Sequence, residues 1–351
     1  MAEKILMKGN EAIAEAAIAA GCHFFFGYPI TPQNELPEYM SRRLSQVGGT
    51  FVQAESEVAA INMVYGAASA GVRAMTSSSS PGISLKQEGI SYCVGSELPC
   101  VIVNMVRGGP GLGSIQPAQG DYFQTVKGGG HGDYKMLILA PATVQEMVDL
   151  AKVAFDLADK YRNPVVILGD GMLGQMMEPV VIPAAETDLP VKSWATVGSK
   201  GQREPNIINS LFIEADACEA HNIELQKKFA AMMTEVRYEI LYPEAELFLV
   251  AYGTTARIAR TAIERMRSGG ISAGLIRPIS LFPFPDCAFD QMMDQAKFFL
   301  AVEMSAGQMV EDVRLAVRDR KPVHFYGRMG GAVPAPQEII DEVERLLKGG
   351  N

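Results

Sequence analysis

The 351-residue chain is 48% hydrophobic and 20% charged, which is typical of a folded globular protein and excludes a disordered or fibrous one. Its net charge of −9, from 31 basic and 40 acidic residues with no basic tract, argues against partners such as nucleic acid or an anionic membrane. We expect a cytoplasmic protein, because no run of about 18 apolar residues is present and the N-terminal stretch has no signal-peptide core.

The cysteines and the chain length limit the organisation further. Five cysteines, an odd number without a C-x-x-C pair, indicate reduced thiols and no disulfide framework. The chain therefore has no evident way to hold an iron–sulfur cluster by itself. A length above about 300 residues predicts two domains, since single hydrophobic cores stop growing near that size.

Residues 8 to about 170 alternate helical and strand-like segments, a pattern typical of a parallel α/β sheet covered by helices. The predicted strands are 22–27, 50–53, 73–77, 100–106, 135–140 and 164–168. Predicted helices 10–20 and 56–70 end at glycines, which are good C-terminal stops. Thr143 and Glu146 have capping-box spacing and predict a helix to about residue 160.

The second half of the chain changes character. Prolines at 179, 183, 190 and 205 predict an irregular connection that carries one short helix. The α/β alternation resumes near residue 245 and predicts a second, smaller α/β domain. We therefore divide the chain into a first domain, 1–185, a connecting segment, 186–240, and a second domain, 241–351.

Four polar features follow predicted strands of the first domain. They are Thr31, the glutamates Glu55 and Glu57, the serine run 77–80, and Arg107 before a glycine-rich loop. In an open parallel sheet, ligands bind in the crevice beyond the carboxyl ends of the strands. The sequence therefore predicts a binding site that these features share.

Helical geometry distinguishes the two glutamates. Glu57 shares one stripe with apolar residues and is predicted to face inward; they are Ala60, Ile61, Val64, Tyr65 and Ala68. Glu55 points about 200° away from it, toward Asn62. An inward carboxylate suits acid–base chemistry because burial raises its pKa. The alternative is that Glu57 is a first-turn acid that complements the helix dipole.

The remaining features each allow a functional and a structural interpretation. Arg107 presents a planar cation that suits a carboxylate-bearing substrate, or it is a surface arginine that closes a strand. Thr31, between two prolines, is predicted to be a helix N-cap. The serine run binds an anion through hydroxyls and a helix N-terminus, or it is ordinary loop chemistry.

Three other signals fail as motifs. The glycines of GGPGLG and GGGHGDY are in the wrong order for a dinucleotide fingerprint. Gly169-Asp170-Gly171 is similar to the start of a thiamine-diphosphate metal motif, but the asparagine that should follow is absent, so we interpret it as a decoy. His131 is a second-tier candidate near the crevice, although a lone histidine is more often structural.

Several motifs in one order carry a family resemblance. They are GYPITP, E-x-E-x-A-A, TSSSSPG, VNMVRGGPG, HGDY, LAPATVQE, VAYGTTAR, GLIRPISLFPFP and VEMSAGQMVEDV. This order resembles the alpha subunit of the 2-oxoacid:ferredoxin oxidoreductases over essentially the whole chain. The motif sequences are most similar to those of the 2-oxoisovalerate branch, followed by those of the 2-oxoglutarate branch.

The resemblance implies a reaction and its partners. The reaction is thiamine-diphosphate-dependent oxidative decarboxylation of a 2-oxoacid to an acyl-CoA, with reduction of ferredoxin. The first domain would be a pyrimidine-binding domain that shares the cofactor with a beta subunit, and the second would be transketolase C-terminal-like. Mg²⁺ and the 4Fe–4S clusters would lie on partner subunits, including gamma and delta subunits. A non-redox thiamine-dependent enzyme subunit is the alternative.

The resemblance also assigns cofactor contacts. Glu57 aligns with the glutamate that hydrogen-bonds the pyrimidine ring and promotes its reactive tautomer. A desolvated carboxyl group beside an aromatic ring suits this proton transfer. Ser78 and Ser79 are assigned to cofactor binding as well.

Substrate contacts follow from the same resemblance. Arg107 aligns with the arginine that binds the substrate carboxylate, and Thr31 with the threonine that faces the substrate. The residues before Thr31 are also assigned to substrate binding; they are Tyr28, Pro29 and Ile30. Catalysis is therefore expected from Glu57, Arg107 and Thr31, with no metal ligand in this chain.

Overall fold

The computed structural model describes residues 4–349. The first part of the chain contains, in order, β1 (Ile5–Lys8), α1 (Gly9–Ala19), β2 (Phe24–Gly27), α2 (Glu35–Gln46), β3 (Thr50–Gln53), α3 (Glu57–Ser69), β4 (Ala74–Ser78), α4 (Pro81–Gly95), β5 (Val101–Val106), α5 (Tyr122–Val126), β6 (Leu137–Leu139), α6 (Val144–Tyr161), β7 (Val165–Asp170), α7 (Gly171–Gln175) and β8 (Met177–Val180). The second part contains α8 (Ala215–Met232), β9 (Tyr238–Leu241), β10 (Leu247–Val250), α9 (Gly253–Ser268), β11 (Ala273–Pro278), β12 (Ser280–Phe282), α10 (Asp286–Met292), β13 (Phe299–Glu303), α11 (Met309–Val317), β14 (Val323–Gly327) and α12 (Pro336–Leu347).

These strands form two main sheets and one ribbon. A seven-stranded sheet has the order β12-β6-β7-β5-β4-β2-β3, and a five-stranded sheet has the order β14-β13-β10-β11-β9. Pairing within both is parallel except at the edge strands β12 and β9, which are antiparallel. β1 and β8 pair as a separate antiparallel ribbon. The α/β fold with parallel sheets agrees with the sequence prediction.

Local sequence explains the main elements of the first sheet. β5 is buried at all six positions, as expected for a nearly continuous apolar run covered by helices on both faces. Gly21 and Gly71 follow α1 and α3 with φ angles of 78° and 87°, the left-handed backbone that favours glycine at a helix stop. Thr143 caps α6 by accepting a hydrogen bond from the Glu146 amide at 3.1 Å.

One expectation about the second half is wrong, and one strand there was not predicted. The helix predicted to be short between residues 186 and 240 is α8, which has 18 residues and buries Leu225, Phe229 and Met232. The proline-rich segment after residue 278 forms β12, which pairs with β6 and so extends the first sheet. A strand from the second half of the chain therefore completes the sheet of the first half.

Buried polar contacts also join the two halves. Arg277 in β11 donates two hydrogen bonds to the Glu146 carboxylate at 2.8 and 2.6 Å. Tyr122 in α5 donates to Asp312 in α11 at 2.6 Å. Among the residues described, no helix is both long and apolar enough to span a membrane.

Candidate active site

The carboxyl ends of four neighbouring strands bring the predicted residues to one edge of the seven-stranded sheet. Thr31 follows β2, Glu57 follows β3, Ser79 follows β4 and Arg107 follows β5. In sheet order these strands are β5, β4, β2 and β3, so the four residues line a continuous edge. This position is the one that a parallel sheet uses for ligands.

Glu57 is the first residue of α3 and lies on its buried face. Its exposed fraction is 6%, while Ala60, Ile61 and Val64 on the same stripe are 0 to 1% exposed. Ser56 caps the helix by accepting a hydrogen bond from the Ala59 amide at 3.2 Å. The dipole role is therefore not the whole explanation, because a carboxylate that only complements a dipole has no reason to be buried.

The contrast between the two glutamates agrees with the helical count. Glu55 is exposed, as is Asn62, toward which it was expected to point. Only Glu57 turns its carboxylate into the protein, where it meets the first turn of α4. This pair therefore offers a natural comparison of an inward and an outward carboxylate two residues apart.

Gly82, in the first turn of α4, makes room for the Glu57 carboxylate. A Cβ built on Gly82 would lie 2.6 Å from Glu57 Oε1 and 2.1 Å from Ser78 Oγ. Real Cβ atoms do not approach other atoms this closely. The glycine therefore allows the backbone of α4 to lie directly against Glu57 and Ser78.

The serine turn between β4 and α4 is held in a strained conformation. Ser80 has a φ angle of 22°, which is unfavourable for a residue with a side chain. Its amide donates to Asn104 Oδ1 at 3.2 Å, and its hydroxyl accepts from the Arg107 amide at 3.0 Å. Ser78 and Ser79 are fully buried, and their hydroxyl oxygens have no hydrogen-bond partner.

Arg107 is buried, so the alternative of a surface arginine is wrong. Its exposed fraction is 9%, and its two terminal nitrogens donate at 3.0 Å to the carbonyl oxygens of Thr31 and Leu112. Its Nε has no partner. The guanidinium is thus fixed between two loops while one of its donors stays unused.

Thr31 is not the N-cap of α2, which corrects the sequence prediction. The helix begins at Glu35 and is preceded by Asn34, so Thr31 lies in the turn before it. Its side chain is exposed, as are Tyr28 and Pro29, while Ile30 is half-buried. Thr31 contacts Arg107 through its backbone carbonyl, which leaves its hydroxyl free of that contact.

Asp170 in the suspected metal motif has a structural role. Its Oδ1 accepts from the amides of Met172 at 2.9 Å and Leu173 at 3.2 Å, and so it caps α7. Burial raises the pKa of this carboxyl group, and its hydrogen bonds oppose that rise. No group of three or more possible metal ligands occurs within residues 4–349.

His131 lies outside the crevice. It is exposed, its Nδ1 lies 3.3 Å from Ser91 Oγ, and its ring packs edge-on against Tyr92. Ser91 is ten residues into α4 from Pro81, which is about 15 Å along the helix. The histidine therefore contacts the end of α4 remote from Gly82 and Glu57.

Lys86 is a residue that the sequence reasoning missed. It is 0% exposed, and its Nζ donates to the Ser77 carbonyl oxygen at 3.3 Å. Burial lowers the pKa of this amine to about 8, and the nearby negative charge of Glu57 opposes the lowering. A signal was present, because Lys86 shares the helical stripe of the buried residues Ile83 and Ile90.

Comparison with known proteins identifies the family. Residues 15–241 match the model described as pyruvate flavodoxin/ferredoxin oxidoreductase, thiamine diP-binding. Residues 245–339 match the model of pyruvate:ferredoxin oxidoreductase core domain II. The first domain therefore belongs to a thiamine-diphosphate-binding family.

Individual relatives agree with the family models. The chain is 52% identical to ketoisovalerate oxidoreductase subunit VorB of Methanothermobacter thermautotrophicus, over 97% of each chain. It is 36% identical to 2-oxoglutarate synthase subunit KorA of Archaeoglobus fulgidus, over 98% of this chain and 100% of the relative. A solved 2-oxoglutarate:ferredoxin oxidoreductase from Magnetococcus marinus is 27% identical with a TM-score of 0.88, covering 98% of this chain and 65% of that one. The chain belongs to the 2-oxoacid:ferredoxin oxidoreductase family and is an oxidoreductase subunit.

Proposed function

We propose that this chain is the alpha subunit of a branched-chain 2-oxoacid:ferredoxin oxidoreductase and carries the pyrimidine half of a thiamine diphosphate site. The observation that carries the proposal is the Glu57 carboxylate, which is buried against Gly82 at the crevice edge of the sheet. The name of the 52%-identical relative, a ketoisovalerate oxidoreductase subunit, supports the same assignment.

The residues at the crevice fit a polar aromatic ligand. Glu57 can exchange a proton with a ring nitrogen, and Gly82 leaves the space that its carboxylate occupies at the crevice. Ser78 and Ser79 hydroxyls and Arg107 Nε are buried without partners, so they are available to a bound group. No group of three or more side chains that could hold a metal ion occurs within residues 4–349, and we propose that a partner subunit binds the magnesium ion.

In this proposal the residues of the chain have separate tasks. Thiamine diphosphate supplies a carbon nucleophile and an electron sink for the loss of CO₂. Glu57 holds the proton at the pyrimidine nitrogen and orients the ring. Arg107 receives the substrate carboxylate, and the Thr31 hydroxyl, on the exposed side of the same turn, positions the oxo group. Tyr28, Pro29 and Ile30, which precede Thr31 in the chain, are proposed to contact the substrate beside it.

The cavity next to Thr31 favours an aliphatic substrate tail. It has a volume of about 670 Å³ and is lined by Thr31, Pro32, Ile115, Gln116, Pro117, Gly171, Met172, Gln175 and Met176. None of these side chains is charged. A tail with a second carboxylate, as in 2-oxoglutarate, would need a cation to offset its desolvation, whereas a branched aliphatic tail would not. We therefore favour 2-oxoisovalerate over 2-oxoglutarate.

The relatives are named as subunits, so this chain works in a multi-subunit enzyme. We propose a beta subunit that binds the diphosphate and Mg²⁺, a gamma subunit and an iron–sulfur delta subunit, with the 4Fe–4S clusters on partner subunits. CoA would be the co-substrate and ferredoxin the acceptor in the cytoplasm. The CoA-bound relative from Magnetococcus marinus supports the co-substrate. Residues 1–185 would be the pyrimidine-binding domain, 186–240 the connection, and 241–351 a transketolase C-terminal-like domain that serves assembly.

Reconstitution tests the proposal. The chain alone, with thiamine diphosphate, Mg²⁺, CoA, a 2-oxoacid and an electron acceptor, should give no turnover, and the assembled subunits should give acyl-CoA and reduced acceptor. Glu57→Gln in the complex should lower kcat by about 10² or more, the size of a lost acid–base group. Glu55→Gln, two residues away and exposed, is the matched control and should keep the wild-type rate.

Three results would contradict the proposal. One is turnover by the isolated chain, and another is an unchanged rate in the Glu57→Gln complex. The third is an aldehyde product without acceptor reduction, which would identify a non-redox thiamine enzyme. A substrate panel of 2-oxoisovalerate, 2-oxoglutarate and pyruvate then tests whether the uncharged cavity selects an aliphatic substrate tail. We expect the highest kcat/KM for 2-oxoisovalerate.

A further inference from the structure

Lys86 lies one helical turn after Gly82, on the face of α4 that meets Glu57. Residues four apart share a helix face, and long helical side chains point back toward the N-terminus. The Lys86 side chain accordingly runs over Gly82 and ends at the Ser77 carbonyl, where Nζ donates at 3.3 Å. The ammonium group is therefore held next to the turn that also contains Ser78 and borders the Glu57 carboxylate.

Glu57 provides the charge that acts on Lys86. It lies on α3, which packs along α4, and its field favours the protonated amine. The ionisable groups that adjoin the serine turn from other elements are engaged elsewhere: Arg107 contacts Thr31 and Leu112, and Asp121 accepts from Asn104 at 2.9 Å. β4 presents the Ser77 carbonyl to the amine but no charged side chain.

A lysine with no exposed surface is costly, since its charge loses its hydration. One carbonyl hydrogen bond does not restore that loss, and an apolar side chain on the same stripe would avoid it. Hydrophobic residues fill the adjacent positions Ile83 and Ile90. The presence of a cation at this point of the stripe therefore calls for a role at the neighbouring carboxylate.

We propose that Lys86 is a positioning residue for Glu57, whose buried ammonium group attracts the carboxylate and keeps it in place against Gly82, where it meets the pyrimidine ring. This inference rests on the proposed function of Glu57. In this proposal Lys86 acts through Glu57 and touches neither cofactor nor substrate. Its positive charge attracts the carboxylate and so favours one orientation of that group toward the ring nitrogen.

The first test measures the pair without any turnover. The full chain is labelled at the lysine side chains, and the amine of Lys86 is titrated by NMR, with Lys86→Met used to assign its signal. Glu57→Gln should lower the pKa of Lys86 from about 8 by about one further unit, because the favourable charge is lost. Lys228, whose pKa burial also lowers and whose charged neighbour is Glu97, is the internal control and should not respond. An unchanged titration of Lys86 overturns the proposal.

The second test is the pH profile of the reconstituted complex. The wild-type kcat should fall as the pH rises through about 8, where Lys86 loses its proton. Lys86→Met should lower kcat about tenfold or more at pH 7 and abolish that basic limb. Lys228→Met should preserve both rate and profile. A basic limb that persists in Lys86→Met overturns the proposal.

The two ideas fail in different ways. If Glu57→Gln keeps its turnover, the proposed function of Glu57 is wrong and the positioning role is wrong with it. If Glu57→Gln loses its turnover but Lys86 titrates as in the wild type, only the positioning role is wrong.

Discussion

Replacing Lys86 by methionine should make the folded chain more stable while it makes the enzyme slower. Methionine keeps an unbranched stem of similar length and removes the charge. Lowering the Lys86 pKa from 10.5 to about 8 corresponds to about 3 kcal/mol of destabilisation of the folded state at pH 7. The Ser77 carbonyl would lose its donor, at a cost of about 1 kcal/mol. We therefore expect the free energy of unfolding to rise by about 2 kcal/mol.

The buried lysine also makes the free energy of unfolding of the wild type depend on pH. Between pH 8 and 10.5 the unfolded chain binds the Lys86 proton and the folded chain does not, so the stability of the wild type increases with pH across this window. Below pH 8 the destabilisation is present in full. Lys86→Met lacks this dependence, so the stability difference between the two proteins should shrink as the pH approaches 10.5.

Urea unfolding of the full chain, followed by circular dichroism at pH 7, 8.5 and 10, measures both quantities. A variant that is less stable than the wild type at pH 7 would refute the reasoning, and so would a difference that does not change with pH. A gain in stability with a loss of rate is the trade-off expected when a costly charge is kept for activity.

Three other substitutions test the site. Gly82→Ala would push a methyl group into Glu57 Oε1 and Ser78 Oγ, so we expect kcat of the complex to fall about 10²-fold, whereas Gly66→Ala, with open space around it, should keep the rate. Thr31→Val should lower kcat/KM but change the free energy of unfolding by less than about 0.5 kcal/mol, because the side chain is exposed; equal losses would return Thr31 to a structural role. Asp170→Ala should cost about 1 kcal/mol of stability through the lost cap and leave the Mg²⁺ requirement of the complex unchanged, and a changed requirement would contradict its assignment as a cap.

Patterns that depend on local sequence were predictable. The inward position of Glu57 followed from counting residues along one helix, and its burial at 6% agrees with that count. The order of features after β2, β3, β4 and β5 followed from the general rule for parallel sheets. These predictions needed no knowledge of how distant segments pack.

Features that depend on tertiary contacts were missed. β12 joins the first sheet because residues 280 and 282 meet β6, which is more than 130 residues earlier in the chain. Thr31 resembles a helix cap locally, but the helix starts four residues later and the Thr31 carbonyl is occupied by Arg107. The position of Lys86 on an apolar stripe can be read from the sequence. Its proposed positioning role could not be predicted, because it depends on Glu57, which comes from another helix.

The buried Glu303 carboxylate and the buried polar atoms of the crevice differ in their hydrogen bonding. The Glu303 carboxylate accepts four hydrogen bonds, from the Ser305 hydroxyl and from three amides at the start of α11, at 2.8 to 3.1 Å. At the crevice, the Ser78 and Ser79 hydroxyls and Arg107 Nε are buried with no partner, and each such atom costs about 1–3 kcal/mol.

The cost of the partnerless crevice atoms points to a ligand, because the same chain gives the buried Glu303 carboxylate four hydrogen-bond donors. A ligand that supplies partners for these atoms would recover the cost only in the folded chain, and would therefore stabilise it by mass action. The partnerless hydroxyls of Ser78 and Ser79 and the strained Ser80 lie at the turn between β4 and α4, and Lys86 in α4 donates back to the Ser77 carbonyl beside it. We therefore expect cofactor and partner binding to be coupled through this turn, which holds the partnerless serine hydroxyls and borders the lysine proposed to position Glu57.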